Sequence, residues 1–161
     1  MSFIETKSDS GTAPTLPAGL RLGAVHLTVP DVDRSVAWYQ RSLGLRVHRH
    51  EATEAELGDG NETVIFLHED PQAQPAGRHA GLYHYALLFP SRLDLARAAQ
   101  RLAATDTPIS GASDHGISEA IYLPDPDGNG IELAADRPRD QWPEEMYTAP
   151  LDLHGLLAEA T

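Results

Sequence analysis

A pattern that returns at one fixed offset constrains this chain more than any other feature. His26 lies 58 positions before His84, and Arg34 lies 58 positions before Arg92. Each histidine sits in a short β-rich stretch, Gly23–Val29 or Gly81–Leu88, and each arginine falls early in the helical pattern that follows. The first helix is expected from about Asp33 to Leu43, with Asp31 or Asp33 as its cap and Gly44 as its stop. Strands are then expected at Leu45–Glu51, Glu54–Leu57 and Thr63–His68, with Gly58-Asp-Gly-Asn61 as the turn between the last two. The second helix opens on Ser91-Arg-Leu-Asp94, which resembles a capping box, and runs to about Thr105. Strands near Ile109–Ser113, Ile117–Leu123 and Gly130–Ala135 complete the second round. The order is βαβββ twice over. The expected class is α+β: two βαβββ modules forming a curved, barrel-like mixed sheet, helices outside and a concave face within.

At 161 residues the chain suits a single core of this kind. Residues 1–18 are polar and rich in Gly, Ser, Thr and Pro, and are expected to be a flexible arm. The paired modules occupy 19–136. A tail, 137–161, carries a short amphipathic segment, Leu151–Ala158, and is expected to cap the domain, contact a second subunit or be a linker that has lost its downstream domain. Twelve basic against 24 acidic residues give a net charge of −12, which argues against nucleic acid and anionic membranes as partners. With no long apolar run and no signal-peptide pattern, cytoplasmic residence is the expectation. The absence of cysteine removes disulfides and thiolate ligands. Any bound metal must then be held by imidazole and oxygen, a donor set suited to Fe, Mn, Ni, Co or Zn.

Three residues fit that chemistry. Around His26 the odd positions Val25, Leu27 and Val29 are apolar, so they form the buried face of a period-2 strand and His26 points the other way. Ile131 and Leu133 flank Glu132 in the same manner, and His84 occupies the place equivalent to His26. A carboxylate on a strand is costly to bury unless positive charge meets it. Two imidazoles and one carboxylate are the set that holds a divalent metal while leaving positions open. His26, His84 and Glu132 are therefore the candidate metal ligands.

His68 ends its strand on the face of Val64 and Phe66, with Glu69 opposite, although a one-residue bulge would exchange the two. Tyr122 shares a face with Ser118 and Ala120, away from Ile121 and Leu123, and His115 follows Asp114. The bland readings are an exposed edge histidine, a lining aromatic and a turn residue. Asp125-Pro-Asp-Gly-Asn-Gly130, with Asp136 at the twelfth place, mimics a calcium-binding loop. Pro126, flanking strands instead of helices, and Asp in place of the bidentate Glu favour a hairpin turn. His48, His50, His79 and His154 are read as surface residues.

The stretches His26-Leu-Thr-Val-Pro-Asp-Val-Asp-Arg-Ser-Val-Ala-Trp-Tyr39, Leu43-Gly-Leu45, Gly81-Leu-Tyr-His-Tyr-Ala86 and Ser118–Glu132 resemble the vicinal oxygen chelate superfamily. That superfamily includes glyoxalase I, bleomycin-resistance proteins and extradiol ring-cleaving dioxygenases. The similarity spans about Leu20 to Asp136 and is strongest to the first half of catechol 2,3-dioxygenase-like proteins. It places His26, His84 and Glu132 at the family's metal positions. It implies an Fe(II) or Mn(II) extradiol dioxygenase acting on a catecholic substrate and O2, with His68 as acid/base beside the metal. His115 and Tyr122 would hydrogen-bond the substrate oxygens. A homodimer is a further expectation from the resemblance. The alternatives are a glyoxalase-type lyase or isomerase using Ni, Co or Zn, a metal-free small-molecule binder, and a regulatory half-module.

Overall fold

The computed structural model describes residues 16–17, 19–75 and 81–160. The expected arm, 1–18, falls outside the described residues except for Leu16 and Pro17, and His79 also falls outside them.

The first module begins with β1 (Val25–Val29), whose alternation buries Leu27 and Val29 and leaves His26 and Thr28 exposed. Helix α1 (Val32–Trp38) starts where the Asp31 side chain accepts the Arg34 amide. It loosens into a π-helical turn over Tyr39–Leu43 and stops at Gly44, whose φ of 76° is one that a side chain would strain. Strands β2 (Arg46–His50), β3 (Glu54–Gly58) and β4 (Thr63–Glu69) follow. The sheet order is β1-β4-β3-β2, with β1 parallel to β4 and the other pairs antiparallel.

The second module repeats the plan. Strand β5 (Tyr85–Phe89) leads to α2 (Arg92–Ala104), capped by the Ser91 side chain. Strands β6 (Gly111–Asp114), β7 (Ser118–Pro124) and β8 (Gly130–Asp136) come next. The tail adds β9 (Ala149–Pro150) against β6 and a last helix, α3 (Leu153–Ala158). Its sheet order is β5-β8-β7-β6-β9, with β5 parallel to β8. Two sheets of four and five strands thus carry the α+β class, and they do not close into one barrel.

Two boundaries differ from expectation for local reasons. The strand expected from Gly81 begins only at Tyr85, so His84 stands just before β5. β6 runs from Gly111 to Asp114 because its partner residues on β7, Tyr122 to Glu119, set where pairing can start. Both modules bury their apolar faces in one core that includes Leu27, Val29, Val36, Leu57, Ile65 and Leu67 from the first and Leu95, Leu102, Ile121, Ile131 and Leu133 from the second. The tail closes that core: Leu156 is fully buried in it, and α3 lies along α2. No helix among the described residues is long and apolar enough to cross a membrane.

Candidate metal centre

Each sheet turns its core face to the helices and carries polar residues on the other. In the first sheet, β1 and β4 run in parallel register, His26 beside Phe66 and Thr28 beside His68. The His26 ring stacks on Phe66 with centroids 4.5 Å apart and planes within 5°. Its Nδ1 lies 3.0 Å from His68 Nε2. His68 Nδ1 in turn lies 3.3 Å from Oε1 of Glu54, the residue directly opposite it on β3. Glu69 faces the other way. Its Oε2 accepts the Val32 amide at 2.9 Å, fixing the start of α1, so no bulge exchanges it with His68.

In the second sheet a chain of hydrogen bonds runs towards one carboxylate, Glu132. Tyr122 and Glu132 are direct neighbours in the β7–β8 ladder, and the Tyr122 hydroxyl donates to Glu132 Oε1 at 3.1 Å. His84 Nε2 lies 2.9 Å from Glu132 Oε2. Because an ionised carboxylate only accepts, both partners must donate. His115 Nε2 is 2.9 Å from the Tyr122 oxygen, and His115 Nδ1 is 3.1 Å from Thr148 Oγ1. With the phenol hydrogen committed to Glu132, His115 Nε2–H donates to that oxygen and Thr148 donates to Nδ1. Burial, then the bond to Glu132 and its charge, push the Tyr122 phenol up to about 12, so it stays a donor at neutral pH.

Tyr83, His84, Ser110, Tyr122, Leu123, Pro124, Gly130 and Ile131 line a cleft of about 270 Å³ at this place. Small-molecule sites have this character, apolar walls with a few convergent polar groups. The structure thus joins four sequence-identified residues, His84, Glu132, Tyr122 and His115, in one chain. It joins His26 with His68 in another. Among the described residues no three His, Asp or Glu side chains are grouped so as to hold a metal ion, and the three candidate ligands stand as a pair and a separate third.

In chemistry the donors suit a hard or borderline divalent ion. Glu132 is mostly buried, with 16% of its side chain exposed, and its charge is met here only by hydrogen-bond donors. The equivalent places on β1 and before β5 supply an imidazole each. Sequence reasoning missed Glu54 and Thr148. Glu54 alternates with the buried Ala55 and Leu57, so its face was legible, but its partner depends on the β3–β4 register.

The turn Asp125–Asn129 is a β7–β8 hairpin connection, as expected, with Pro124 paired to Gly130. Asp125 is buried and accepts the Asp127 and Asn129 amides, the Asn129 side chain and the Tyr39 hydroxyl. It is a structural carboxylate. His48 contacts Thr63, and His50 pairs with Asp33 at 2.9 Å, both outside this chain of contacts.

Paired βαβββ modules with histidines at equivalent places and a glutamate on the last strand of the second define a class, and residues 21–133 match the family model for it. The chain belongs to the Glyoxalase/Bleomycin resistance protein/Dioxygenase superfamily. Within that class it is 41% identical over 148 residues to a catechol-2,3-dioxygenase of Bacillus subtilis (strain 168), covering 86% of this chain and 52% of the relative. The chain therefore spans about half the length of that relative. A glyoxalase/dioxygenase structure from Nostoc punctiforme aligns with a TM-score of 0.64 at 22% identity, covering 80% of this chain and all of that one. A glyoxylase/bleomycin resistance protein/dioxygenase domain from Frankia sp. EAN1pec aligns at 0.60 and 23% identity, covering 73% and 98%. At such identities the two structures speak to the fold alone.

Proposed function

We propose that this chain is an extradiol-type ring-cleaving dioxygenase that acts on a catecholic substrate with O2. The observation that carries this reading is the 41% identity to a protein named catechol-2,3-dioxygenase across 86% of the chain. His26, His84 and Glu132 would hold a divalent metal, Fe(II) or Mn(II). Bound there, such an ion supplies acidification of the diol and a meeting place for diol and O2.

The remaining roles belong to the chain itself. The cleft beside His84 and Tyr122, bordered by Tyr83 and Pro124, takes the aromatic ring. Tyr122, protonated at neutral pH, offers its hydroxyl hydrogen to a substrate oxygen once Glu132 is engaged elsewhere, and His115 Nε2–H holds the phenol oxygen in place. Once substrate displaces its contact with His26 Nδ1, His68 Nε2 would carry the proton taken from the diol. Its other nitrogen is steadied by Glu54, as an acid/base imidazole requires.

The lyase or isomerase alternative would be favoured by a carboxylate in place of His68 as a further ligand. Glu69 is instead committed to the Val32 amide, and Glu54, on the same face as His68, is engaged by His68 and Arg49. Homodimerisation and a cytoplasmic setting form part of the proposal. Strands β1 and β5 are sheet edges, and Leu82, Tyr83 and Leu88 are large apolar side chains left at least half exposed next to or on β5.

The test is O2 uptake on adding catechol to protein reconstituted with Fe(II) or Mn(II) under anaerobic conditions. Stoichiometric uptake with a yellow ring-opened product is the expected result. Absence of O2 consumption with either metal, with catechol or its alkyl-substituted forms, would refute the proposal.

A further inference from the structure

The strongest unassigned feature is the line of three side chains on the first sheet: Glu54, His68 and His26. Glu54 and His68 are direct cross-strand neighbours on β3 and β4, and His68 adjoins Thr28, two residues beyond His26 on β1. Hydrogen-bond bookkeeping along the line has one solution for neutral rings. A carboxylate has no hydrogen to give, so His68 Nδ1 must donate across the 3.3 Å to Glu54 Oε1. A neutral imidazole bearing hydrogen on Nδ1 has its lone pair on Nε2. His26 Nδ1, 3.0 Å away, must then be the donor to it. The His26 hydrogen is thereby placed on Nδ1 and the lone pair on Nε2.

We propose that Glu54 is a positioning residue that acts through His68 to set the tautomer of His26, presenting His26 Nε2 as a metal-ligating atom. The idea rests on the proposed function for the metal, but not for the tautomer. Metal-bound imidazoles are usually held in this way, the second nitrogen donating to an outer partner that fixes both ring orientation and tautomer. Here the outer partner is a second imidazole with a carboxylate behind it. Stacking on Phe66 fixes the His26 ring plane, and the near-coplanar His68 ring, 9° away, keeps the bond in plane. His68 therefore has a part to play even before substrate arrives. Glu54 also pairs through Oε2 with Arg49 at 3.3 Å, which leaves Oε1 for His68.

Ring-nitrogen NMR of metal-free protein labelled with ¹⁵N-histidine, at alkaline pH where imidazoles are neutral, reads the tautomers directly. The expected pattern is hydrogen on Nδ1 and a lone pair on Nε2 for both His26 and His68. In Glu54→Ala the His26 ring should shift towards the Nε2–H form, and Mn(II) affinity should fall about tenfold. Glu54→Gln, whose amide oxygen can still accept, should restore most of both. Arg49→Ala removes the neighbouring ion pair without touching His68 and should change neither, provided the variants keep the wild-type circular dichroism. A wild-type His26 carrying hydrogen on Nε2, or an unaltered His26 tautomer in Glu54→Ala, would overturn the proposal. Failure of wild-type protein to bind Mn(II) would count against the metal site instead, and the ring-nitrogen pattern would still decide the relay.

Discussion

The Tyr39 hydroxyl, at the end of α1, donates to Asp125 Oδ2, in the β7–β8 turn, at 2.8 Å and out of contact with solvent. The Tyr85 hydroxyl donates to the same Tyr39 oxygen at 3.1 Å, and Arg34 pairs with Asp127 of the same turn. The helix of one module is thus tied to the hairpin of the other. Burial pushes both phenols up, so each remains a donor. Tyr39→Phe leaves a buried carboxylate one donor short and Tyr85 without an acceptor. The expected cost is about 1–3 kcal/mol of unfolding free energy, with an unchanged denaturant slope. Urea titration of wild type and variant measures it, and a cost near zero would mean that the two modules do not depend on this contact.

A second polar tie joins the strand ends to the tail. Arg137 reaches Asp114 at 2.6 and 2.9 Å and the buried Glu119 at 2.8 Å, while Arg92 bridges Glu119 and Glu159 of the tail. The Arg137 guanidinium, and next the Gly116 amide among the groups that lower it, hold the Asp114 carboxyl below its ordinary range against the opposing effect of burial. A carboxylate held low contributes stability that is fully present above the unfolded value of ~3.9 and is lost as pH falls through the folded value. Arg137→Ala is expected to cost about 2–3 kcal/mol at neutral pH. The gap between wild type and variant should narrow as pH drops below about 4. Thermal melts across that range report it, and a gap constant with pH would contradict the assigned cause.

Tyr122→Phe removes one hydroxyl while keeping Glu132 and His84 in place. Mn(II) affinity is expected to change little, whereas kcat/KM for a catecholic substrate should fall about 10²-fold, the usual cost of one oriented donor. Calorimetry and initial rates separate the two quantities. Equal losses in both would make Tyr122 a support for Glu132 instead of a substrate contact.

His84→Ala takes away an imidazole that touches Glu132 at 2.9 Å. Metal binding and turnover should both be abolished, with folding intact because His84 lies outside the core and just before β5. Equilibrium dialysis with Mn(II) and O2 uptake check the pair. Full function in this variant would remove His84 from the site.

Local chemistry made much of this fold legible in advance. Asp31 and Ser91 announce helix starts because a cap bonds within three residues of itself, and Gly44 marks a stop through its own backbone angle. The period-2 pattern around His26 and Glu132 fixes which way each points without any knowledge of the neighbours. What stayed hidden depends on register. Glu54 meets His68 only once β3 is laid against β4, and Thr148 meets His115 from a segment 33 residues away. The Asp125 turn was legible as a hairpin, yet its inward carboxylate needed Tyr39 from the other module to be understood. Likewise the single curved sheet expected from two modules resolves into two sheets, because the hydrogen-bonded ladders stop at β1 and β5.

The central claim is that His26, His84 and Glu132 belong to one divalent-metal site. Elemental analysis of protein purified without oxygen tests it most directly. The account predicts one iron or manganese per chain, lost on replacing any one of the three side chains with alanine. Protein that carries no divalent metal, or that keeps its metal in all three variants, would contradict it.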